Sequence, residues 1–297
     1  MIHKRNGIPV FRQSMKQSAT HRAFAILELL VGRPAGLGLG EICARLDIPK
    51  SIVHRLLALL AERGLVRQDP ATGHYALTLE LSLMGARHLA GIGLVDVGQP
   101  ILDRLAAATG ELCRLAVVEG EGMVWVAKAQ GARYGLRYDP DAGTRVVLHA
   151  TATGKAWLAT LPEAEAMRIV EATGFVTPRH FGPNAISEGR AFSVELARTR
   201  ERGYGLALEE GEAGIAAVAV VVRRSTEASA PAVGTLSVAG PVTRLTPDRC
   251  RQLANGLGTA AAELSALWPI RLPLGGVAAR STAQGHQPDE GAMRHVA

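Results

Sequence analysis

The sequence has little cysteine, no long apolar run and no catalytic signature, and each lack removes a class of function. Its three cysteines, Cys43, Cys113 and Cys250, lie far apart and in no spacing that pairs them around a metal. That argues against a zinc site and fits a reduced, cytoplasmic compartment. The basic N-terminus has no apolar run behind it and is no secretory signal, and no stretch of about 20 uncharged apolar residues exists to span a membrane. Binding to an anionic membrane surface would call for a bulky apolar and aromatic face beside the charge, and none is visible. Neither a dinucleotide fingerprint nor a strand-turn serine elbow is present. Residues 150–155 also fail as an NTP-binding loop. Such a loop needs Gly five residues before its Gly-Lys pair and Ser or Thr after the Lys, where this chain has His149 and Ala156. No metal, catalytic residue or cofactor is expected.

What is present has a direction. At 297 residues, 47% of them hydrophobic, the chain can build two soluble globular domains with a core in each. The net charge of +6 is confined to the first 90 residues, which hold 12 Lys/Arg against 6 Asp/Glu, while the rest balances 21 against 21. That part wants an anionic partner, and nucleic acid is the best candidate.

The stretch Ile48 to Gly64 carries two stripes. Val53, Leu56, Leu57 and Leu60 recur at helical spacing as an apolar face. Ser51, His54, Arg55 and Ala58 lie opposite, two strong donors framed by small residues, a face able to enter a groove. Pro49 suits the first turn, Lys50 sits beside an N-terminus fit to meet a phosphate, and Gly64 stops the helix. Seen alone, such a helix is more often just amphipathic with a solvated polar face, so its neighbours decide. Thr20 to Val31 reads as a helix burying Ala23, Ile26, Leu27 and Leu30. Glu41 to Leu46 reads as a short one, joined to the organising helix through Asp47, Ile48 and Pro49. Two helices around such a turn form a helix-turn-helix. Leu65 to Arg67, the turn formers Asp69 to Gly73, and His74 to Leu77 then read as a hairpin, or wing.

These residues resemble the bacterial isocitrate lyase regulator (IclR) family of transcription factors. The likeness lies in Ala25-Ile26-Leu27-Glu28-Leu29-Leu30, in Ile48-Pro49-Lys50-Ser51 continued by Val53-His54-Arg55-Leu56-Leu57, and in Asp69-Pro70-Ala71-Thr72-Gly73 with an aromatic soon after. Gly40 stands where the family usually has a Ser or Thr cap, and Ile52 where Thr is common. The likeness continues in Leu148-His149-Ala150-Thr151 with Gly154-Lys155-Ala156, in Arg202-Gly203-Tyr204, and in Gly240-Pro241 followed by Arg244-Leu245-Thr246, and so covers about Thr20 to Leu267.

The fold class expected is α+β in two domains, an N-terminal winged helix-turn-helix and a C-terminal GAF-like mixed α/β effector-binding domain. The limits expected are a disordered basic arm over 1–18, the DNA-binding domain over 19–77, a linker helix over 78–92, the effector domain over 93–268 and a disordered tail over 269–297. Thr78 is read as the cap of the linker helix, whose Leu79, Leu83 and Ala86 share a side. In the family such a helix helps to pair protomers. In the second domain, helices are expected at 97–108, 154–160, 187–202 and 246–267. Strands are expected at 112–118, 123–128, 133–138, 204–209, 215–222 and 232–238.

Ser51, His54 and Arg55 are expected at base edges, Arg55 on guanine, with Ile52 able to touch a thymine methyl. Lys50, Arg67 and His74 are expected on phosphates. One protomer's contacts are few, so a homo-oligomer, dimer or tetramer, reading a near-palindrome of double-stranded DNA is expected. For the effector, the resemblance implies contact by the small-residue loop at Ala152 and Thr153, whose N–H groups suit a carboxylate. It also implies that the carboxylate, the thiol and two hydroxyls found in members binding small oxo acids fall at Ala207, Ala217, Ser237 and Ala239. Only Ser237 keeps a polar group. A pocket lined by Ala207, Ile215, Ala217 and Ala239 suits a small organic acid with an apolar or aromatic body. Two other classes compete. One is an enzyme built from Glu209, Glu210 or Glu212 with His149 or His180, and the other is a DNA binder with no ligand. Repression is the expected mode, subject to where the operator lies.

Overall fold

The computed structural model describes residues 18–140, 144–175 and 181–268; all but Ser18 of the expected arm, the tail 269–297 and His180 lie outside them. The chain divides into two compact units, one ending at Val97 and the other starting at Gly98.

The first unit runs α1 (Ala19–Leu30), α2 (Leu39–Leu46), α3 (Lys50–Glu62), β1 (Val66–Gln68), β2 (Tyr75–Leu77) and α4 (Glu80–Ile92). Ser18 caps α1, its hydroxyl accepting from the His21 N–H at 3.2 Å. Ile26, Leu27 and Leu30 of α1, Ile42 of α2 and all four apolar-stripe residues of α3 close one core with Val66 and Tyr75 of the hairpin. Gly40 is not a cap. α2 starts earlier, after Gly38, and no side chain caps it. Pro49 likewise stands just outside α3, at its N-cap with ψ 141°. Asp47 takes φ 54° to make the sharp turn between the two helices. In the wing, Arg67 faces Ala76 across an antiparallel ladder. The Asp69 carboxylate accepts from the N–H groups of Ala71 and Thr72 at 2.8 and 3.1 Å, which fixes the turn.

The linker helix is α4, begun two residues later than Thr78. The Thr78 hydroxyl accepts from the Glu80 N–H at 3.1 Å and donates to the Gly64 carbonyl, tying the helix start to the end of α3. None of its residues is buried, and Leu83 and Met84 are about half exposed.

The second unit holds most of α5 (Leu94–Thr109), then β3 (Leu112–Glu119), β4 (Gly122–Gln130), α6 (Ala152–Leu158), α7 (Glu163–Thr173), α8 (Gly189–Arg202), β5 (Gly205–Leu208), β6 (Ile215–Arg223), β7 (Ala232–Pro241) and α9 (Pro247–Ala266). The strands form one antiparallel sheet in the order β4-β3-β7-β6-β5. Ala116, Val118 and Met123 of the sheet pack with Trp157, Ile169, Val170, Phe192 and Leu196 from α6, α7 and α8.

Two expectations are corrected. Arg133 to Tyr138 is no strand. Its residues join no strand ladder, Tyr134 is 92% exposed, and Gly135 takes φ 75°. α7 is not among the expected helices, although Ala166, Ile169 and Val170 bury at helical spacing behind Glu163 and Glu165 in the first turn.

Candidate functional site

On α3 the apolar stripe faces the core, so the helix must present the other stripe. Lys50, Ser51, His54 and Arg55 are all exposed. Ile52 is half-buried and packs against the core, which leaves only part of it outward. Arg67 is exposed on β1. His74 is half-buried with Nδ1 3.4 Å from the Ala35 carbonyl oxygen, so its ring also braces the wing against the approach to α2.

The second unit gathers all seven effector-loop and strand residues around one cavity of about 170 Å³. Ala152 and Thr153 come from the start of α6, Ala207 from β5, Ile215 and Ala217 from β6, Ser237 and Ala239 from β7. The register explains why. Ala239 sits opposite Ala217, and Ala217 opposite Ala207, so three small side chains form a row on one face. Their size leaves room for α6, which packs there through Ala152 and Ala156. The loop donates less than its sequence promised: the Thr151 hydroxyl already accepts from the Gly154 N–H at 3.0 Å.

Sequence reasoning missed the rest of the wall. Arg114, Trp125, Tyr138 and Glu212 also line the cavity. The Arg114 guanidinium carbon lies 3.7 Å from the Trp125 ring centroid and 5.7 Å from that of Tyr138. Burial pulls the Arg114 pKa below its ordinary value and pushes the Tyr138 phenol up. Trp125 reaches this face through a bulge: Leu115 faces Ala127 but Ala116 faces Trp125, so Val126 is an extra residue that re-aims the next side chain. An arginine inside the apolar run Leu112 to Val118 was a legible signal, and the bulge was not.

Beneath the cavity wall, Lys155 of α6 is 0% exposed. Its ammonium donates to both Glu210 oxygens at 2.7 and 2.9 Å and to Glu195 at 3.3 Å, and Arg202 donates to the same Glu195 oxygen at 2.7 Å. Burial raises the Glu210 pKa, outweighing Lys155. At Glu195 burial acts the same way but the two cations outweigh it, and the pKa is lowered. The motifs now have causes. A Cβ at Gly154 would lie 2.2 Å from the Leu148 carbonyl oxygen, and one at Gly240 would lie 2.3 Å from the Glu111 carboxylate that clamps Arg244.

The groups suspected of catalysis have other duties. The Glu209 carboxylate accepts from the Gly214 N–H, Glu210 holds Lys155, and His149 is buried against Phe175 and Phe181 at 5.3 and 5.9 Å between ring centroids. Burial first, and then Lys155, lower the His149 pKa. Among the described residues, no group of three His, Cys, Asp or Glu side chains is set to hold a metal ion. No described helix is long and apolar enough to cross a membrane.

Comparison with known proteins agrees with both units. Residues 19–70 match the IclR helix-turn-helix domain, and residues 86–266 match the C-terminal domain described as bacterial transcriptional regulator IclR. The HTH-type transcriptional regulator BhcR of Paracoccus denitrificans is 31% identical over 83% of this chain and 86% of its own. The crystal structure of IclR from Thermotoga maritima superposes with a TM-score of 0.65 at 27% identity, covering 82% of this chain and 96% of that one. An IclR homologue from Microbacterium hydrocarbonoxydans, crystallised with 4-hydroxybenzoate, has the same fold: TM-score 0.67, 21% identity, 84% and 98% covered. This chain therefore belongs to the IclR family of DNA-binding transcriptional regulators, with a helix-turn-helix unit followed by the family's effector-binding domain.

Proposed function

We propose that this regulator binds a near-palindromic operator as a homo-oligomer in the cytoplasm, and that a small organic acid with an apolar or aromatic body sets its hold on DNA. The domain limits that go with this reading are 19–77 for DNA, 78–92 for the linker and 93–268 for the effector. The observation that carries it is the cavity of about 170 Å³ shared by Ala152, Thr153, Ala207, Ile215, Ala217, Ser237 and Ala239. A small oxo acid would bring oxygens that these alanines cannot satisfy, each costing roughly 1 to 3 kcal/mol if left unpaired. Oligomer formation is supported by α4, whose Leu81, Leu83 and Met84 are exposed. The protein catalyses no reaction in this reading, which the structural duties of Glu209, Glu210 and His149 support.

The test is protection of the DNA upstream of the protein's own gene, at fixed salt, with aromatic and aliphatic acids in turn. A two-fold footprint that shifts with an aromatic acid and not with glyoxylate or pyruvate is expected. A footprint indifferent to every acid would leave a DNA binder without a ligand, and turnover of an acid would restore the enzyme.

A further inference from the structure

The alanine row explains why the cavity is apolar but not what would hold an acid in it. The register supplies the missing group. Arg114 on β3 sits directly opposite Ser237 on β7, so the two side chains leave the sheet on one face and line one cavity. Both carry an orphaned atom: Arg114 Nε and Ser237 Oγ are buried without a hydrogen-bond partner, although buried polar groups in proteins are nearly always paired.

Arg114 also differs from the ion-paired cations of its unit. Lys155 and Arg202 share Glu210 and Glu195, and Arg244 is clamped by Glu111. Among the described residues no carboxylate pairs with Arg114. Glu212 lines the same cavity, but its hydrogen bond goes to Tyr138. What holds the guanidinium in place is the Trp125 ring face at 3.7 Å and a hydrogen bond to the Tyr138 hydroxyl, which leaves Nε free. A guanidinium stays charged at neutral pH even when burial weakens it, and its planar fork matches a carboxylate.

We propose that Arg114 and Ser237 together receive the ligand's carboxylate, and that the row of Ala207, Ala217 and Ala239 leaves space for a single flat ring behind it. The ligand class is an aromatic monocarboxylate. This rests on the effector reading above and moves its anionic end from the start of α6 to the sheet. At α6 the Thr151 hydroxyl has already taken one donor, and the helix is only seven residues long. The size agrees: a cavity of about 150 Å³ admits benzene, so about 170 Å³ leaves room for one ring with its carboxylate.

The test is calorimetric titration of the full-length protein with benzoate, benzamide, benzylamine and glyoxylate, repeated on Arg114→Gln and Ser237→Ala. Benzoate should bind best. Loss of the cation facing the carboxylate should weaken it roughly 10- to 100-fold in Arg114→Gln, and loss of the hydroxyl's single bond to the same carboxylate about 10-fold in Ser237→Ala. Benzamide should bind the wild type and Arg114→Gln alike, because it has no charge to lose. Arg114→Gln breaks no ion pair but gives up the stacking on Trp125 and the bond to Tyr138; if it fails to fold, Ser237→Ala and the ratio of benzoate to benzamide on the wild type decide. Benzoate bound equally by wild type and both variants overturns the anchor while leaving an acid-responsive regulator. Benzamide or benzylamine bound as tightly as benzoate, or no binding of any probe, overturns the acid reading as well.

Discussion

The first unit buries no charged side chain among its described residues, whereas the second buries Lys155, Glu111 and Glu210 together with His149 and several hydroxyls. Both units have polar work to do, and they place it differently. The helix-turn-helix keeps the groups proposed to meet DNA in water, where exposing Arg55 and Lys50 costs the fold nothing and the core beneath stays apolar. The effector domain works inside. There each charge must be matched by another, as Lys155 is by Glu210 and Glu195, or be left waiting for one, as Arg114 is. Removing an exposed charge therefore costs the first unit no stability, whereas removing one member of the buried cluster of Lys155, Glu195 and Glu210 costs the second a great deal.

The largest effect expected breaks that comparison most directly. Replacing Lys155 with Met leaves Glu210 and Glu195 buried without their shared cation, a loss of about 3–5 kcal/mol. All three tryptophans, Trp125, Trp157 and Trp268, lie in the second unit, so urea unfolding followed by tryptophan fluorescence reads that unit. Lys50→Met should leave the same curve unmoved. If Lys155→Met unfolded no more easily than Lys50→Met, burial would not distinguish the two units.

Next comes the DNA face. Arg55→Ala should cost about 1–3 kcal/mol of operator affinity, ten- to a hundredfold, and little on random DNA, with no change in melting temperature. Lys50→Ala should weaken both DNAs alike and lower the slope of log affinity against log salt by about one. Equal losses on operator and random DNA from both variants would erase the division between reading and positioning.

The same contrast governs what could be read in advance. The stripe of Val53, Leu56, Leu57 and Leu60 was legible because a solvated helix face differs chemically from a buried one, and its exposed complement followed by subtraction. The alternation in the second unit is hidden, since β7 is buried along nearly its whole length and its two faces read alike. There the cavity's alanines were found through resemblance to the family, not through periodicity. Arg114 was missed although it is a charge in an apolar strand, because its meaning depends on Ser237, more than a hundred residues away, and on a bulge that no local pattern announces. The lost strand at Arg133 to Tyr138 failed for the opposite reason, since alternation alone does not supply a neighbour to pair with.

The smallest effect expected is on pH, and it separates the two carboxylates that Lys155 joins. The folded-state pKa of Glu210 is raised from the ordinary 4.5 by burial, so the folded protein takes up its proton more readily than the unfolded chain. Its contribution to stability is full below 4.5 and is lost as pH rises through the folded value. Glu195 ends lowered: burial opposes this, and Lys155 and Arg202 overcome it. Its contribution is present above 4.5 and is lost as pH falls through the folded value. Acidification from neutral should thus first strengthen the second unit slightly and then, below about 4.5, weaken it. Glu210→Gln should flatten the first limb and Glu195→Gln the second, in tryptophan-detected urea unfolding at half-unit pH steps. The first unit has no buried carboxylate to titrate among its described residues. Hydrogen exchange of the α3 amides in the full-length protein should therefore show no strengthening limb once corrected for the intrinsic effect of pH on exchange, and any acid loss there should come below 3.8 from Asp69, whose carboxyl the Thr72 and Ala71 N–H groups hold below its ordinary value. Protection of α3 that followed both limbs would mean that burial is not what sets them.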